Sequence, residues 1–234
     1  MKVMIVVTHL LGTGHLTRAV TLAQAFKQAG HTPVVVSGGL PVPRFASSGV
    51  TILQLPPVRS DGVDFSKLLD TAGALVDPAY LHERQIQLVD ILKEYEANAV
   101  ITELFPFGRR ILKDEFLFLL KAAKSMARPP AVFASIRDIL APPSKPAKAV
   151  FADNTIAEFY DAVLVHSDPQ IMPLDLSWPV SDALKGKLHY TGFVSPPPSE
   201  QHPGRLGEGE IIISAGGGDV GRDLFNCARK AAAL

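Results

Sequence analysis

A short polar turn follows the first apolar run of the chain, and it places a histidine beside two glycines. Gly12, Thr13 and Gly14 lead directly to His15, where a stretch of helical periodicity begins. Free N–H groups at the start of a helix attract anions such as phosphate, and an imidazole can accept a proton near neutral pH. The turn therefore predicts a phosphate-binding loop with a general base beside it. A histidine that only caps the helix remains the simpler alternative.

A carboxylate that follows another apolar run is the predicted partner of this histidine. Residues 99–102 have the composition of a buried strand, and Glu103 comes next. Residues at the carboxyl ends of parallel strands share the edge of a sheet where ligands bind. Glu103 is therefore expected to hydrogen-bond one ring nitrogen of His15 and leave the other free as a base. An ion pair of Glu103 with Arg109 or Arg110 is the alternative.

Two further strand ends carry ionisable side chains that the same argument brings to this edge. Arg137 and Asp138 follow the run at residues 131–135, and His166 ends the run at residues 162–166. We expect these side chains to line the edge of the cleft. The alternatives are that Arg137 and Asp138 pair with each other and that His166 only caps its strand.

A second glycine-rich turn lies near the end of the sequence. Gly216, Gly217 and Gly218 follow an apolar run at residues 210–214, and Gly221 completes the G-x-G-x-x-G spacing. In a turn between a strand and a helix this spacing predicts binding of a phosphate or pyrophosphate. These three glycines are the predicted donor-binding residues of this part of the chain.

Composition excludes several classes of protein. The chain has 234 residues, of which 47% are hydrophobic, and 23 basic residues balance 23 acidic ones. Such a chain is too apolar for disorder, and zero net charge is atypical of nucleic-acid binding. The single Cys227 excludes an internal disulfide and the common zinc motifs. No apolar run is long enough for a signal peptide or a membrane span, so a cytoplasmic protein is expected.

Strand-like and helix-like stretches alternate along most of the sequence. The predicted strands are residues 3–8, 32–37, 51–55, 99–102, 131–135 and 162–166, and the predicted helices are 14–29, 78–96, 109–125 and 147–160. Residues 59–76 lack this alternation and are predicted to form a long surface loop. The pattern indicates an α/β fold with a doubly wound parallel sheet and right-handed crossovers.

The alternation of strand-like and helix-like stretches stops and then resumes near the end of the chain. Residues 195–209 begin with Ser-Pro-Pro-Pro and have the composition of a linker. Residues 210–234 are predicted to form one new strand, a turn and a helix. One strand and one helix cannot bury their own apolar faces. We expect residues 1–194 to form one domain and residues 210–234 to begin a second one, so that this chain is a fragment. The alternative is that the last unit adds a strand to the first sheet.

The motifs resemble those of a known family. The run GTGHLTRA at residues 12–19, with the helix after it, resembles the acceptor domain of GT-B glycosyltransferases. It is most similar to the bacterial predicted glycosyltransferases related to family 28, and more distantly to UDP-glycosyltransferases. TELFPFGRR at 102–110, SIRDIL at 135–140 and VHSDP at 165–169 resemble the bacterial subgroup. The resemblance implies two Rossmann-like domains, with the hinge near residue 195.

The resemblance also implies roles for particular residues. His15 matches the family histidine that acts as base on the acceptor hydroxyl, and Glu103 stands where the family has an orienting Asp. Arg18 is expected to line the acceptor side or the edge of the cleft, and residues 216–218 match the first loop of the donor domain. The implied reaction is inverting transfer of a sugar from a nucleotide sugar, with UDP as the expected nucleotide.

The expected partners follow from this reaction. They are the nucleotide-sugar donor and a small or lipid-linked acceptor, with nucleic acid excluded and contact with the inner face of a membrane left open. No cofactor is expected, and no Asp-x-Asp pair is present to hold a metal ion. Two other functions remain open, namely a nucleotide-sugar hydrolase with the same histidine turn and a non-catalytic binding module. This fragment alone is expected to be inactive.

Overall fold

A parallel β-sheet forms the centre of the chain. The computed structural model describes residues 1–62, 67–196, 204–205, 207–215 and 221–232. Within these ranges the strands are β1 (Lys2–Val7), β2 (Thr32–Ser37), β3 (Thr51–Gln54), β4 (Ala99–Glu103), β5 (Ala131–Arg137), β6 (Ala162–His166) and β7 (Leu188–Tyr190). They form a seven-stranded sheet in the order β3-β2-β1-β4-β5-β6-β7, and every neighbouring pair is parallel.

Helices lie between these strands and after the last of them. They are α1 (Gly14–Gln28), α2 (Pro78–Tyr95), α3 (Lys113–Lys124), α4 (Pro146–Phe159), α5 (Asp182–Lys185) and α6 (Arg222–Ala231). Short 3₁₀ turns occur at Pro43–Phe45, Arg110–Leu112 and Leu174–Leu176. The Asp77 side chain caps α2 by accepting a 2.8 Å hydrogen bond from the backbone N–H of Tyr80.

Hydrophobic side chains cover the sheet on both faces. On one face Ile5 of β1 packs with Leu16 and Val20 of α1. On the other face Met4 of β1 belongs to a larger core that α2, α3 and α4 complete, with Phe116 at its centre. A strand that is buried on both faces is apolar at consecutive positions. This explains the unbroken apolar run of β1 and confirms the predicted doubly wound α/β sheet.

The strand order decides where a ligand can bind. The chain moves outwards from β1 to β2 and β3, and then returns across the sheet to β4 and continues in the opposite direction. In open α/β sheets the crevice for ligands lies at the carboxyl ends of the two strands where the order reverses. Here these strands are β1 and β4. The residues that follow β1 and end β4 are those that the sequence singled out.

Most of the predicted elements up to residue 166 are present, with shifted ends. Strand β5 continues to Arg137, and the helix predicted at residues 109–125 consists of the 3₁₀ turn at Arg110–Leu112 followed by α3. The described part of the predicted loop at 59–76 contains only isolated bridges, Arg59 with Leu69 and Leu69 with Leu75. Strand β7 and helix α5 were not predicted, because three or four residues are too few to show a periodic pattern.

The strand predicted at residues 210–214 is wrong. These residues have irregular backbone and do not join the sheet, and Ile211 and Ile212 are 92% and 78% exposed. An isolated strand leaves its hydrogen-bonding groups unpaired, and none of the described strands lies beside this one. The glycines predicted as a donor loop, Gly216, Gly217 and Gly218, lie outside the described residues, as does much of the predicted linker.

Candidate active site

His15 and Glu103 meet at the reversal of strand order. His15 is the second residue of α1, and Glu103 is the last residue of β4. The His15 Nδ1 atom lies 2.9 Å from the Glu103 Oε1 atom. The Glu103 side chain is 1% exposed, whereas that of His15 is 25% exposed. The contact predicted from the sequence is therefore present, and the imidazole reaches solvent rather than the core.

Two other side chains share the Glu103 carboxylate. Arg18, one turn beyond His15 on α1, donates from Nη2 to Oε1 and from Nε to Oε2, the latter at 3.3 Å. Ser135 of β5 donates its hydroxyl proton to Oε2 at 2.6 Å. Ser135 is the residue of β5 that pairs with Glu103 across the sheet. The arginine that binds Glu103 is thus Arg18 and not Arg109 or Arg110.

These contacts keep Glu103 ionised. Burial alone raises the pKa of the carboxyl, but the hydrogen bond from His15 and the charge and hydrogen bond of Arg18 outweigh burial and lower the pKa to about 2. An ionised carboxylate can only accept hydrogen bonds. The contact with His15 therefore requires a proton on Nδ1, which leaves the lone pair of a neutral imidazole on Nε2. This is the tautomer that a general base needs.

A pocket of about 320 Å³ lies beside the histidine. It is lined by His15, Gly12, Gly14, Arg109 and the two leucines that precede the turn. Arg109 donates from Nε to the backbone carbonyl of Thr8 at 2.5 Å. Burial lowers the pKa of Arg109, and the negative charge of Glu103 opposes that effect. The pocket thus combines a helix start, an imidazole and a guanidinium group.

The turn before α1 has room for a ligand. A Cβ atom added to Gly12 or Gly14 would meet nothing within 4 Å, and neither glycine has a positive φ. The backbone conformation of the turn therefore does not require glycine at either position. Thr13 makes no side-chain hydrogen bond that caps α1, and its hydroxyl accepts a 2.7 Å hydrogen bond from Arg44.

The structure separates the other predicted residues. Arg137 Nε and Asp138 Oδ1 lie 2.9 Å apart and pair with each other on the surface, as the alternative for these residues stated. His166 is buried and has two side-chain partners, so it does more than cap β6. Its Nε2 atom lies 2.9 Å from Ser135 Oγ, and its Nδ1 atom lies 2.7 Å from Thr191 Oγ1.

Sequence reasoning gave no role to Ser135 or Arg44, although both contact the site. Ser135 ends the strand predicted at residues 131–135, which is a signal that it lies at the same edge as Glu103, but its pairing with Glu103 depends on the register of β4 and β5, which the sequence alone does not set. Arg44 had no such signal, because it reaches Thr13 from the 3₁₀ turn Pro43–Phe45. The described residues contain no group of three or more His, Cys, Asp or Glu side chains suited to a metal ion.

Comparison with solved structures places the fold. A glycosyltransferase from Rickettsia africae superposes on 81% of this chain with a TM-score of 0.50 and 14% sequence identity. The aligned part of the chain shares the fold of this glycosyltransferase. MurG from Acinetobacter baumannii matches 87% of the chain with a TM-score of 0.48 and 14% identity. SsfS6 of Streptomyces sp. SF2575, a glycosyltransferase complexed with thymidine diphosphate, matches 70% of it with a TM-score of 0.44 and 16% identity.

The chain spans less than half of these three proteins, namely 42% of the R. africae protein and 48% of each of the other two. No protein-family model matches the sequence, and no curated protein does either. Among the described residues, no helix combines the length and apolar character that a membrane span requires.

Proposed function

We propose that this chain carries the acceptor-side residues of a glycosyltransferase, which moves a sugar from a nucleotide sugar to a hydroxyl group of an acceptor. The observation that carries the proposal is the 2.9 Å contact between His15 Nδ1 and Glu103 Oε1 at the switch point of the sheet. The pocket beside His15 offers the acceptor a place within reach of the imidazole. The fold shared with the R. africae glycosyltransferase supports the same class of reaction.

In the proposed reaction His15 is the general base. Its Nε2 atom takes the proton of the acceptor hydroxyl as the acceptor oxygen bonds to the anomeric carbon of the donor. The bond from that carbon to the diphosphate oxygen breaks at the same time, and the configuration inverts. Glu103 stabilises the imidazolium ion that forms, since Nδ1–H already points at its carboxylate. General-base assistance of this type typically contributes about 10²–10⁴-fold to the rate.

Positive groups near the turn are proposed to stabilise the departing diphosphate. The start of α1 has no side-chain cap, and its free N–H groups favour negative charge. Arg44 lies against Thr13 at this helix start, and Arg109 lines the pocket. Gly216, Gly217 and Gly218 are proposed to contribute from the donor side, with UDP as nucleotide and without a metal ion.

One observation favours a second candidate, a non-catalytic module that binds a nucleotide or sugar. Arg18 donates to both oxygens of Glu103 and so neutralises part of the charge that would stabilise an imidazolium ion. In such a module Arg18 and His15 would only shape the pocket. A hydrolase that uses water as the acceptor shares the proposed chemistry but has no observation of its own.

Activity assays on the native-length protein separate these candidates. We expect release of nucleoside diphosphate from a nucleotide sugar to depend on an acceptor, and His15→Ala to lower turnover by at least about 10²-fold. His82→Ala is the matched control, because His82 is exposed on α2. Release of free sugar without an acceptor indicates the hydrolase. Binding of a nucleotide sugar, measured as a rise in melting temperature, without any turnover indicates the binding module.

A further inference from the structure

A chain of buried hydrogen bonds continues from Glu103 away from the pocket. Ser135 Oγ lies 2.6 Å from Glu103 Oε2 and 2.9 Å from His166 Nε2, and His166 Nδ1 lies 2.7 Å from Thr191 Oγ1. Glu103, Ser135 and His166 are all at most 3% exposed. None of these contacts involves His15 itself, so their role is a separate question.

The chemistry of the groups fixes the direction of every bond. Glu103 is ionised and only accepts, so Ser135 must give its single hydroxyl proton to Oε2. The Ser135 oxygen then accepts a hydrogen bond, which requires a proton on His166 Nε2. A neutral His166 leaves its Nδ1 atom as an acceptor for the hydroxyl proton of Thr191. Burial, with the positive charge of Arg18, outweighs the opposing charge of Glu103 and lowers the pKa of His166 to about 4, so the ring is neutral near pH 7.

We propose that Ser135 and His166 are positioning residues that hold the Glu103 carboxylate in the orientation in which Oε1 faces His15. Their effect on turnover rests on the proposed function. Their effect on the histidine tautomers does not rest on it and can be measured in this chain alone.

The competition for Glu103 gives the physical reason. Arg18 reaches both oxygens, and its Nη2 atom is only 3.2 Å from His15 Nδ1. If Ser135 did not hold Oε2, the carboxylate would be free to turn towards the guanidinium group, and His15 Nδ1–H would lose its acceptor. The guanidinium group can only donate, so it favours an imidazole whose Nδ1 atom carries the lone pair. His15 would then carry its proton on Nε2 and be unable to act as a base towards the pocket.

Nitrogen-15 NMR of the histidine rings tests the structural part. In the wild-type chain we expect the Nδ1–H tautomer for His15 and the Nε2–H tautomer for His166. Ser135→Ala should shift a measurable fraction of His15 to the Nε2–H form. Ser37→Ala is the matched control, because Ser37 is also a buried strand serine but its hydroxyl has no hydrogen-bond partner among the described residues. Unchanged His15 and His166 tautomers in folded Ser135→Ala would overturn the proposal.

Kinetics of the native-length protein test the consequence for turnover. We expect Ser135→Ala to lower kcat by about 10- to 100-fold with little change in KM, as for other small displacements of a reacting group. His166→Leu should have a similar effect, whereas His166→Gln keeps an N–H donor for Ser135 and should recover most of the rate. Equal loss of kcat in the two His166 variants, or a normal kcat in Ser135→Ala, would contradict the positioning role.

A folding defect in Ser135→Ala and a failure of the proposed function can both be distinguished from a failure of the positioning role. If Ser135→Ala does not fold, the comparison of His166→Leu with His166→Gln provides the same test, both by NMR and by kinetics. If the wild-type protein transfers no sugar, the proposed function fails, while the tautomers of His15 and His166 still decide whether Ser135 positions Glu103.

Discussion

Arg18 donates to both carboxylate oxygens of Glu103 from the helix that also carries His15. These two hydrogen bonds pair the negative charge of Glu103 with the positive charge of Arg18. The Glu103 side chain is almost completely buried, and without a partner a carboxylate at this depth would be protonated. The arrangement gives Glu103 two tasks, since the same carboxylate must satisfy the guanidinium group and hold the imidazole.

Glu103→Gln is expected to reduce turnover strongly. The amide is neutral, so it cannot stabilise an imidazolium ion, and it can present an N–H group to His15 Nδ1 and reverse the tautomer. We expect kcat to fall by about 10²–10⁴-fold in steady-state assays of the native-length protein. Glu94→Gln, an exposed substitution on α2, is the control. A kcat within threefold of wild type would remove Glu103 from the mechanism.

Stability should depend on the ionisation of Glu103 at acid pH. The pKa of Glu103 is lowered from 4.5 to about 2, so the folded state favours the charged form. Its contribution is fully present above about pH 4.5 and is lost as the pH falls towards about 2, with a total on the order of 3 kcal/mol. Urea unfolding at several pH values should show this loss in wild type, and Glu103→Gln should lack it.

His166 should produce a second, separate dependence at higher pH. Its pKa is lowered from 6.5 to about 4, first by burial and then by Arg18, against the opposing effect of Glu103. The unfolded chain therefore binds the proton more readily, and stability should decline as the pH falls from about 6.5 to about 4, by on the order of 3 kcal/mol. In His166→Gln the decline over this interval should be smaller, and the part that remains comes from His9, whose pKa is also lowered by burial and by the charge of Arg109. A decline of equal size in that variant would assign the effect to other groups.

Gly14→Ala should leave the fold intact and weaken anion binding. The added Cβ meets no atom within 4 Å and lies at the first position of α1, where alanine is favourable. It also narrows the pocket that Gly14 lines. We expect an unchanged melting temperature and a lower affinity for a nucleoside diphosphate in calorimetric titrations. Gly30→Ala is the control with the opposite expectation. Gly30 has a φ of +79°, so this variant should lose about 1 kcal/mol of stability without a change in affinity.

The buried ion pair between α2 and α3 should matter more for stability than the exposed one near the cleft. Arg84 Nε and Nη2 lie 2.8 and 3.0 Å from the oxygens of Glu115, and both side chains are at most 2% exposed. Glu115→Ala leaves a buried guanidinium group without its partner and should cost about 3–5 kcal/mol. Asp138→Ala removes the half-buried partner of the exposed Arg137 and should cost less than about 1 kcal/mol. Denaturant unfolding of both variants compares the two.

The sequence predicted most elements up to residue 166 because each has a strong local signal. Strand β1 is apolar at consecutive positions, and α1 repeats its apolar residues at helical spacing, so burial on a particular side is already encoded. The local sequence pattern failed to predict the structure where packing alone decides whether a strand forms. Strand β7 has only three residues, and residues 210–214 have the composition of a strand but no described strand beside them.

The candidate site was predicted in the same uneven way. That His15 and Glu103 would meet followed from their places at the carboxyl ends of two parallel strands, a property of sheet geometry that any chain with this pattern shares. Which arginine would bind Glu103 did not follow, since Arg18, Arg109 and Arg110 are all close in the sequence to one member of the pair. The choice of Arg18, and the line of protons from Thr191 through His166 and Ser135, depend on the register of neighbouring strands and the rotation of α1. These are set by packing between segments far apart in the chain, so only the tertiary structure decided them.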